Sequence, residues 1–215
     1  VSRLLDDAPL VSSEGRQYPV QIHHGSALAP GQPIEPVLEQ LVLQALATDS
    51  GSLLVFLPGA AEIRRLQSRL ETALADAPDV DVTPLYGDLD FAAQRAAISP
   101  APPGRRKVVL ATPIAETSLT IDGVRVVIDS GLCREPAFDP VSGMTRLHTR
   151  RISRAAAEQR AGRAGRTEPG VCYRLWSVDQ HAQLAAQSPA EILQADLAPL
   201  ALQLARWGVD DPAEL

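Results

Sequence analysis

The string QRAGRAGR, from Gln159 to Arg166, carries the residue types best suited to chemistry in this chain. Two guanidiniums at fixed spacing suit a polyphosphate, because each presents planar, paired donors to oxygen. Taken as a helix, separations of four and then three residues put Gln159, Arg163 and Arg166 on one face. Gly162 and Gly165 would each cost such a helix about 1 kcal/mol relative to alanine. Small residues there let another backbone or a phosphate chain come close. The bland alternative is a salt-bridged surface helix, but Glu158 is the only acid nearby in the sequence.

A second candidate is the polar loop ATPIAETSLTIDG, Ala111 to Gly123, which follows a short apolar run. Open α/β sheets bind ligands in loops of that kind. Its hydroxyls (Thr112, Thr117, Ser118 and Thr120) and Asp122 are candidates for phosphate or ribose oxygens. His23, His24, His148 and His181 fall in no triad or metal-ligand spacing, and neither do Cys133 and Cys172.

The elements that must position these groups follow from hydrophobic periodicity. Strands are expected at 17–23, 52–57, 80–86, 107–111, 124–129 and 170–176, and helices at 34–47, 60–77, 90–98 and 178–186. A further helix starts at Ser153 as N-cap and runs through the arginines to the Pro169-Gly170 stop. Such alternation predicts an α/β fold with a doubly wound, mostly parallel sheet. One segment breaks the rhythm: extended arms at 132–138 and 145–152 flank DPVSG, which predicts a projecting β-hairpin. Its second arm places Arg146, His148 and Arg150 on one face, either as a contact surface for a polyanion or as a solvated edge blunted by charge. From Ser188-Pro189 onward a helical stub is expected, which suggests one domain over 1–186 and the start of another over 187–215.

Composition sets the outer limits. The 215 residues are 45% hydrophobic and 21% charged, a globular balance. No apolar run is long enough for a membrane span, no secretory signal is visible, and the two cysteines suit no disulfide scaffold, so a cytoplasmic protein without a membrane partner is expected. Net charge is −6, yet seven of the 20 basic residues lie between Met144 and Arg166. That clustering makes a local anion site inside an acidic protein.

QRAGRAGR together with TPIAETSLTIDG resembles motifs VI and V of DEAH-box superfamily 2 helicases, in the second RecA-like domain. LLVFLPGAAEI looks like motif IV of that family, PLYGDL like the strand and turn after it, and the hairpin stands where the family carries one. FLPG, SPAPPGRRKVVLAT and EILQADLAPLALQLARWG look nearest the bacterial HrpB branch. The resemblance covers essentially the whole chain. It implies that Arg163 and Arg166 reach the γ-phosphate of ATP across an interdomain cleft and that Gln159 orients the attacking water. Arginine fingers of that kind are generally worth ~10³–10⁵ in rate. It also implies that Thr120 and Asp122 lie near the phosphates and ribose, that Ile98 takes the place of an aromatic covering the adenine, and that Gly59, Thr112 and Ser118 contact the RNA backbone. Where many members have asparagine, this chain has Pro113, which lacks both the side-chain amide and a backbone donor.

No GxxxxGK[ST] phosphate loop and no Asp-Glu-x-His string occurs in the 215 residues. By the resemblance, ATP and Mg²⁺ are then bound mainly by a first RecA-like domain, and this chain alone is inactive as an ATPase. The implied partners are single-stranded RNA, gripped without regard to sequence, and the first RecA-like and C-terminal domains of the same protein, with the hairpin as a wedge at a strand junction. Two other classes stay open: a non-catalytic adaptor that binds nucleic acid or a helicase, and a doubly wound enzyme acting on a phosphorylated metabolite. The latter needs an acid/base pair at the ligand edge of the sheet, and none is evident.

Overall fold

The computed structural model describes residues 9, 18–29, 31–116, 121–193, 195–209 and 211. Among these, six strands form one parallel sheet and two more form a separate antiparallel hairpin. In chain order the first half runs β1 (Val20–His24), α1 (Glu35–Thr48), β2 (Ser52–Phe56), α2 (Ala60–Ala73), β3 (Val80–Leu85), α3 (Phe91–Ile98) and β4 (Arg106–Ala111). A 3₁₀ turn (Pro113–Ala115) follows, then β5 (Val124–Asp129), the hairpin strands β6 (Leu132–Asp139) and β7 (Met144–Arg151), and α4 (Arg154–Ala161). The chain continues with β8 (Gly170–Arg174), α5 (Val178–Ala182), a second 3₁₀ turn (Glu191–Leu193) and α6 (Ala198–Arg206).

Strand order in the main sheet is β1-β8-β5-β2-β4-β3, with every pairing parallel. The central strand β2, SLLVF, is buried at all five positions, as a strand covered on both faces must be. Side chains alternate across it. Leu53 and Val55 join Leu38, Val42, Ile63, Leu66 and Leu70 on the face covered by the 14-residue helices α1 and α2. Leu54 and Phe56 point the other way, where Ala97, Ala115, Ala161 and Ala164 pack against them. The second face is therefore covered by short elements and methyl groups, which keeps backbone close to the sheet.

The expected doubly wound architecture holds, with several local corrections. The predicted helix through QRAGRAGR stops at Ala161, and residues 162–165 form turns. Arg163 N–H donates to the Arg160 carbonyl and Ala164 N–H to that of Ala161, both at 3.0 Å, so the helix tightens after its glycine cap. Arg163 and Arg166 consequently do not share a helical face with Gln159. Helix α5 ends at Ala182, four residues short of expectation, although its start is fixed by a capping box between Ser177 and Gln180. The hairpin forms as expected: Asp139 accepts from Val141 N–H and the Ser142 hydroxyl, and Gly143 takes a positive φ of 65°.

Candidate functional site

Two segments border the thinly covered face. One leaves the carboxyl end of β4 at Thr112 and returns to the amino end of β5 at Gly123. The other is α4 with the turn after it. Thr112 and Asp122 thus sit at opposite ends of β4 and β5, the two strands that flank β2, roughly 15–20 Å apart along the strand direction at 3.3 Å per residue.

Arg163 is buried and Arg166 exposed, and both line a crevice too tight to hold a water molecule, together with Leu54, Ala115, Ile121 and Val124. Burial, and after it the like charge of Arg166, lowers the Arg163 guanidinium pKa below its ordinary value, while Glu116 works in the opposite direction. Gln159 is exposed on α4. Ile98 ends α3 and packs, half-buried, against the apolar cluster of the same face. Asp122 is exposed in the turn before β5. Ser118 and Thr120 lie outside the described residues.

Two of the expected RNA-contacting positions, Gly59 and Thr112, lie at the carboxyl edge instead. Gly59 is the N-cap of α2, and Thr112 opens the 3₁₀ turn with its N–H bonded to the Leu85 carbonyl at 3.1 Å. Pro113 occupies the first position of that turn, where a missing N–H leaves nothing unsatisfied. Space over Gly59 is taken by the hairpin: a Cβ there would stand 2.6 Å from Nη1 of Arg134. Arg134 also reaches Glu62 at 3.1 Å and Thr149 Oγ1 at 3.3 Å, so the base of the hairpin is tied to this loop. Glu62 titrates below the ordinary carboxylate range. Its burial opposes that shift, and hydrogen bonds from its own backbone, Arg134 and Arg65 outweigh it.

Sequence spacing suggested that Gly165 makes room for a ligand. The structure gives that room to the chain itself: a Cβ at 165 would lie 2.5 Å from the Tyr18 carbonyl, and Tyr18 N–H donates to the Gly165 carbonyl at 2.9 Å. The seven-arginine cluster is also divided. Arg160 is fully buried and held by acids distant in sequence, which weakens the premise that Glu158 was its only available partner. Its Nε donates to Glu116 Oε1 at 2.6 Å, and its Nη1 donates to Asp129 Oδ1 at 2.8 Å and to the Leu132 carbonyl at 3.2 Å. The guanidinium also stacks 4.8 Å over the Phe56 ring. Burial alone would lower the pKa of Arg160, and the two carboxylates more than reverse that.

Arg160, Glu116 and Asp129 were not singled out by the motif. One signal was present: Arg160 shares the helical stripe of Ala157, Ala161 and Ala164, whose small side chains leave space for a long one. A histidine pair was also missed. His24, at the end of β1, lies 5.4 Å from His181 between ring centroids, and both rings contact Trp176. Of the two thiols, Cys133 is pushed up to about 11 by burial and by Glu135, and Cys172 is raised further by burial.

Residues 35–168 match the family described as the helicase conserved C-terminal domain. Over its whole length the chain is 48% identical to the ATP-dependent RNA helicase HrpB of Escherichia coli (strain K12), of which it spans 26%. It is 39% identical, over 98% of its length, to the probable ATP-dependent RNA helicase DHX34 of Homo sapiens, spanning 19% of that protein. Identity is again 39%, over 94% of the chain and 18% of the relative, for the pre-mRNA-splicing factor ATP-dependent RNA helicase prp22 of Schizosaccharomyces pombe. A crystal structure of the E. coli DExH-box NTPase HrpB superimposes with a TM-score of 0.89 at 48% identity, over 99% of this chain and 26% of that one. The chain thus spans about a fifth to a quarter of the relatives it matches.

Proposed function

The chain belongs to the helicase conserved C-terminal domain family, with the RecA-like fold of the DEAH-box type, and from that premise we propose that it is the second motor domain of an ATP-dependent RNA helicase. ATP and Mg²⁺ are held mainly by a first RecA-like domain, which faces the thinly covered side of this sheet. Arg163 and Arg166 meet the γ-phosphate there, Gln159 orients the attacking water, and Thr120, Asp122 and Ile98 border the nucleotide. Two guanidiniums aimed at the charge that develops during phosphoryl transfer would supply most of this domain's contribution to rate.

The observation that carries this reading is the pairing of Arg163 with Arg166 on one cleft, close enough for each charge to oppose the other. Such a pair is relieved by an anion of high charge density, and a terminal phosphate fits that description. The RNA backbone runs along the carboxyl edge, past Gly59, Thr112 and Ser118. Contacts with phosphate and sugar carry no base information, so the grip is tolerant of sequence. Loss of the γ-phosphate opens the cleft and shifts this edge along the strand. The exposed Leu197, Leu200, Leu202 and Trp207 around α6 suit burial within a winged-helix domain that starts near residue 187, and the expected site of action is the cytoplasm.

The test exchanges the corresponding quarter of E. coli HrpB for this chain and measures RNA-stimulated ATP turnover. Arg166→Ala is expected to lower turnover by more than about tenfold. A smaller loss removes the finger assignment and favours a non-catalytic adaptor that binds nucleic acid or a helicase.

A further inference from the structure

We propose that Glu116 is a positioning residue for the arginine pair: its carboxylate, clamped by the buried Arg160, sets where the turn bearing Arg163 and Arg166 stands against the loop after β4. This holds only if those arginines meet phosphate as proposed above.

Arg160 joins four segments. Nε and Nη2 reach one oxygen of Glu116 at 2.6 and 2.5 Å, and Nη1 reaches Asp129 at the end of β5 and the carbonyl of Leu132 at the start of the hairpin. The fourth segment is its own: the Arg160 carbonyl accepts the Arg163 N–H at 3.0 Å. Any shift of the clamp therefore reaches Arg163 through a single peptide hydrogen bond. The opposite end is firm as well. Glu116 N–H donates to the Pro113 carbonyl at 2.8 Å, and the adjoining Ala115 is fully buried while lining the same cleft as Arg163 and Arg166.

The charges explain why a carboxylate is used. Two acids surround one guanidinium, leaving an excess negative charge in a poorly solvated place. Asp129 is fully buried, and the oxygen that Arg160 holds also accepts the Gly131 N–H at 2.9 Å. Asp129 Oδ2 is buried without a partner, whereas Glu116 keeps 17% of its side chain accessible and gives Arg160 only Oε1, so the part of the excess that Arg163 feels comes from Glu116. It offsets the mutual repulsion of Arg163 and Arg166, an attraction that also registers in the titration of Arg163. Without it, that repulsion is less offset and the two guanidiniums shift from their seats before phosphate arrives. Orientation is lost, and the nucleotide grip of the first domain is not.

The experiment uses the same chimera and reads kcat and KM for ATP at saturating RNA, together with the melting temperature. Glu116→Gln keeps an oxygen for Arg160 and loses the charge. It is expected to lower kcat at least tenfold, with KM within twofold and the fold intact. Glu116→Asp keeps the charge but withdraws it by one methylene, and is expected to lower kcat about threefold at unchanged KM. A Glu116→Gln kcat within twofold of wild type, or a loss confined to KM, overturns the inference. Should Glu116→Gln fail to fold, the aspartate variant decides: a threefold loss of kcat at constant KM supports the role, and an unchanged kcat overturns it. An Arg163→Ala arm separates the two readings. If Arg163→Ala loses activity and Glu116→Gln does not, only the positioning role fails. If Arg163→Ala is also silent, the phosphate reading fails and this role falls with it.

Discussion

Arg160, Arg163 and Arg166 share one side chain and occupy three electrostatic settings. Arg160 is dry and doubly paired, Arg163 is buried beside a like charge, and Arg166 is exposed. Truncating one member of a buried ion pair generally costs about 3–5 kcal/mol, because the remaining charge is left uncompensated. The spacing of the motif says nothing of this division of labour, since acids from two other segments make it. The histidine pair carries a further expectation. His181 is held below the ordinary histidine range first by burial, then by Arg174 and His24, with Glu158 opposing and Arg154 adding to the shift. The folded state therefore prefers the neutral ring, while the unfolded chain takes up a proton near pH 6.5. The resulting stability is complete above about pH 6.5 and is lost as pH falls through the folded-state value. Urea midpoints measured between pH 7.5 and 5 should fall less steeply in His181→Gln than in wild type. Equal slopes would show that this ring does not titrate with folding.

At the scale of elements, the turn after α4 depends on how closely β1 approaches it. Gly165 has no room for a methyl group against the Tyr18 carbonyl and Val20 Cγ2. Gly165→Ala should accordingly destabilise by about 1–3 kcal/mol, the usual range for overpacking, which a urea denaturation series would measure. An unchanged midpoint would mean that β1 shifts aside without cost. The sequence placed most strand and helix starts within a residue or two, because an apolar run such as SLLVF and caps such as Ser153 act locally. Ser153 Oγ does accept the Ala156 N–H, at 3.2 Å. The end of α4 was misplaced because a helical spacing of arginines continues past Gly162, whereas the backbone is turned by the segment that packs on Gly165.

The whole molecule is lopsided in a way that matters for binding: two long helices cover one side of the sheet, and alanines and short turns cover the other. Net charge is −6, so the proposed grip on RNA rests on local contacts. If about three RNA phosphates are neutralised by arginines, Arg146 and Arg151 of the exposed strand β7 among them, the single-strand slope gives roughly a ten- to twentyfold loss of affinity between 50 and 200 mM salt. A fluorescence-anisotropy salt series with unstructured RNA would measure it, and an affinity independent of salt would exclude a backbone-led grip. By itself the sequence determined the α/β alternation, the projecting hairpin and the two motif strings, because hydrophobic period, turn residues and spacing are properties of neighbours along the chain. Only the tertiary structure decided that Arg160 belongs to Glu116 and Asp129, that Gly165 serves β1, and that Arg134 lies over Gly59. Each of those pairings joins residues far apart in sequence, and which charge is dry or which gap is filled depends on the strand order that brings them together.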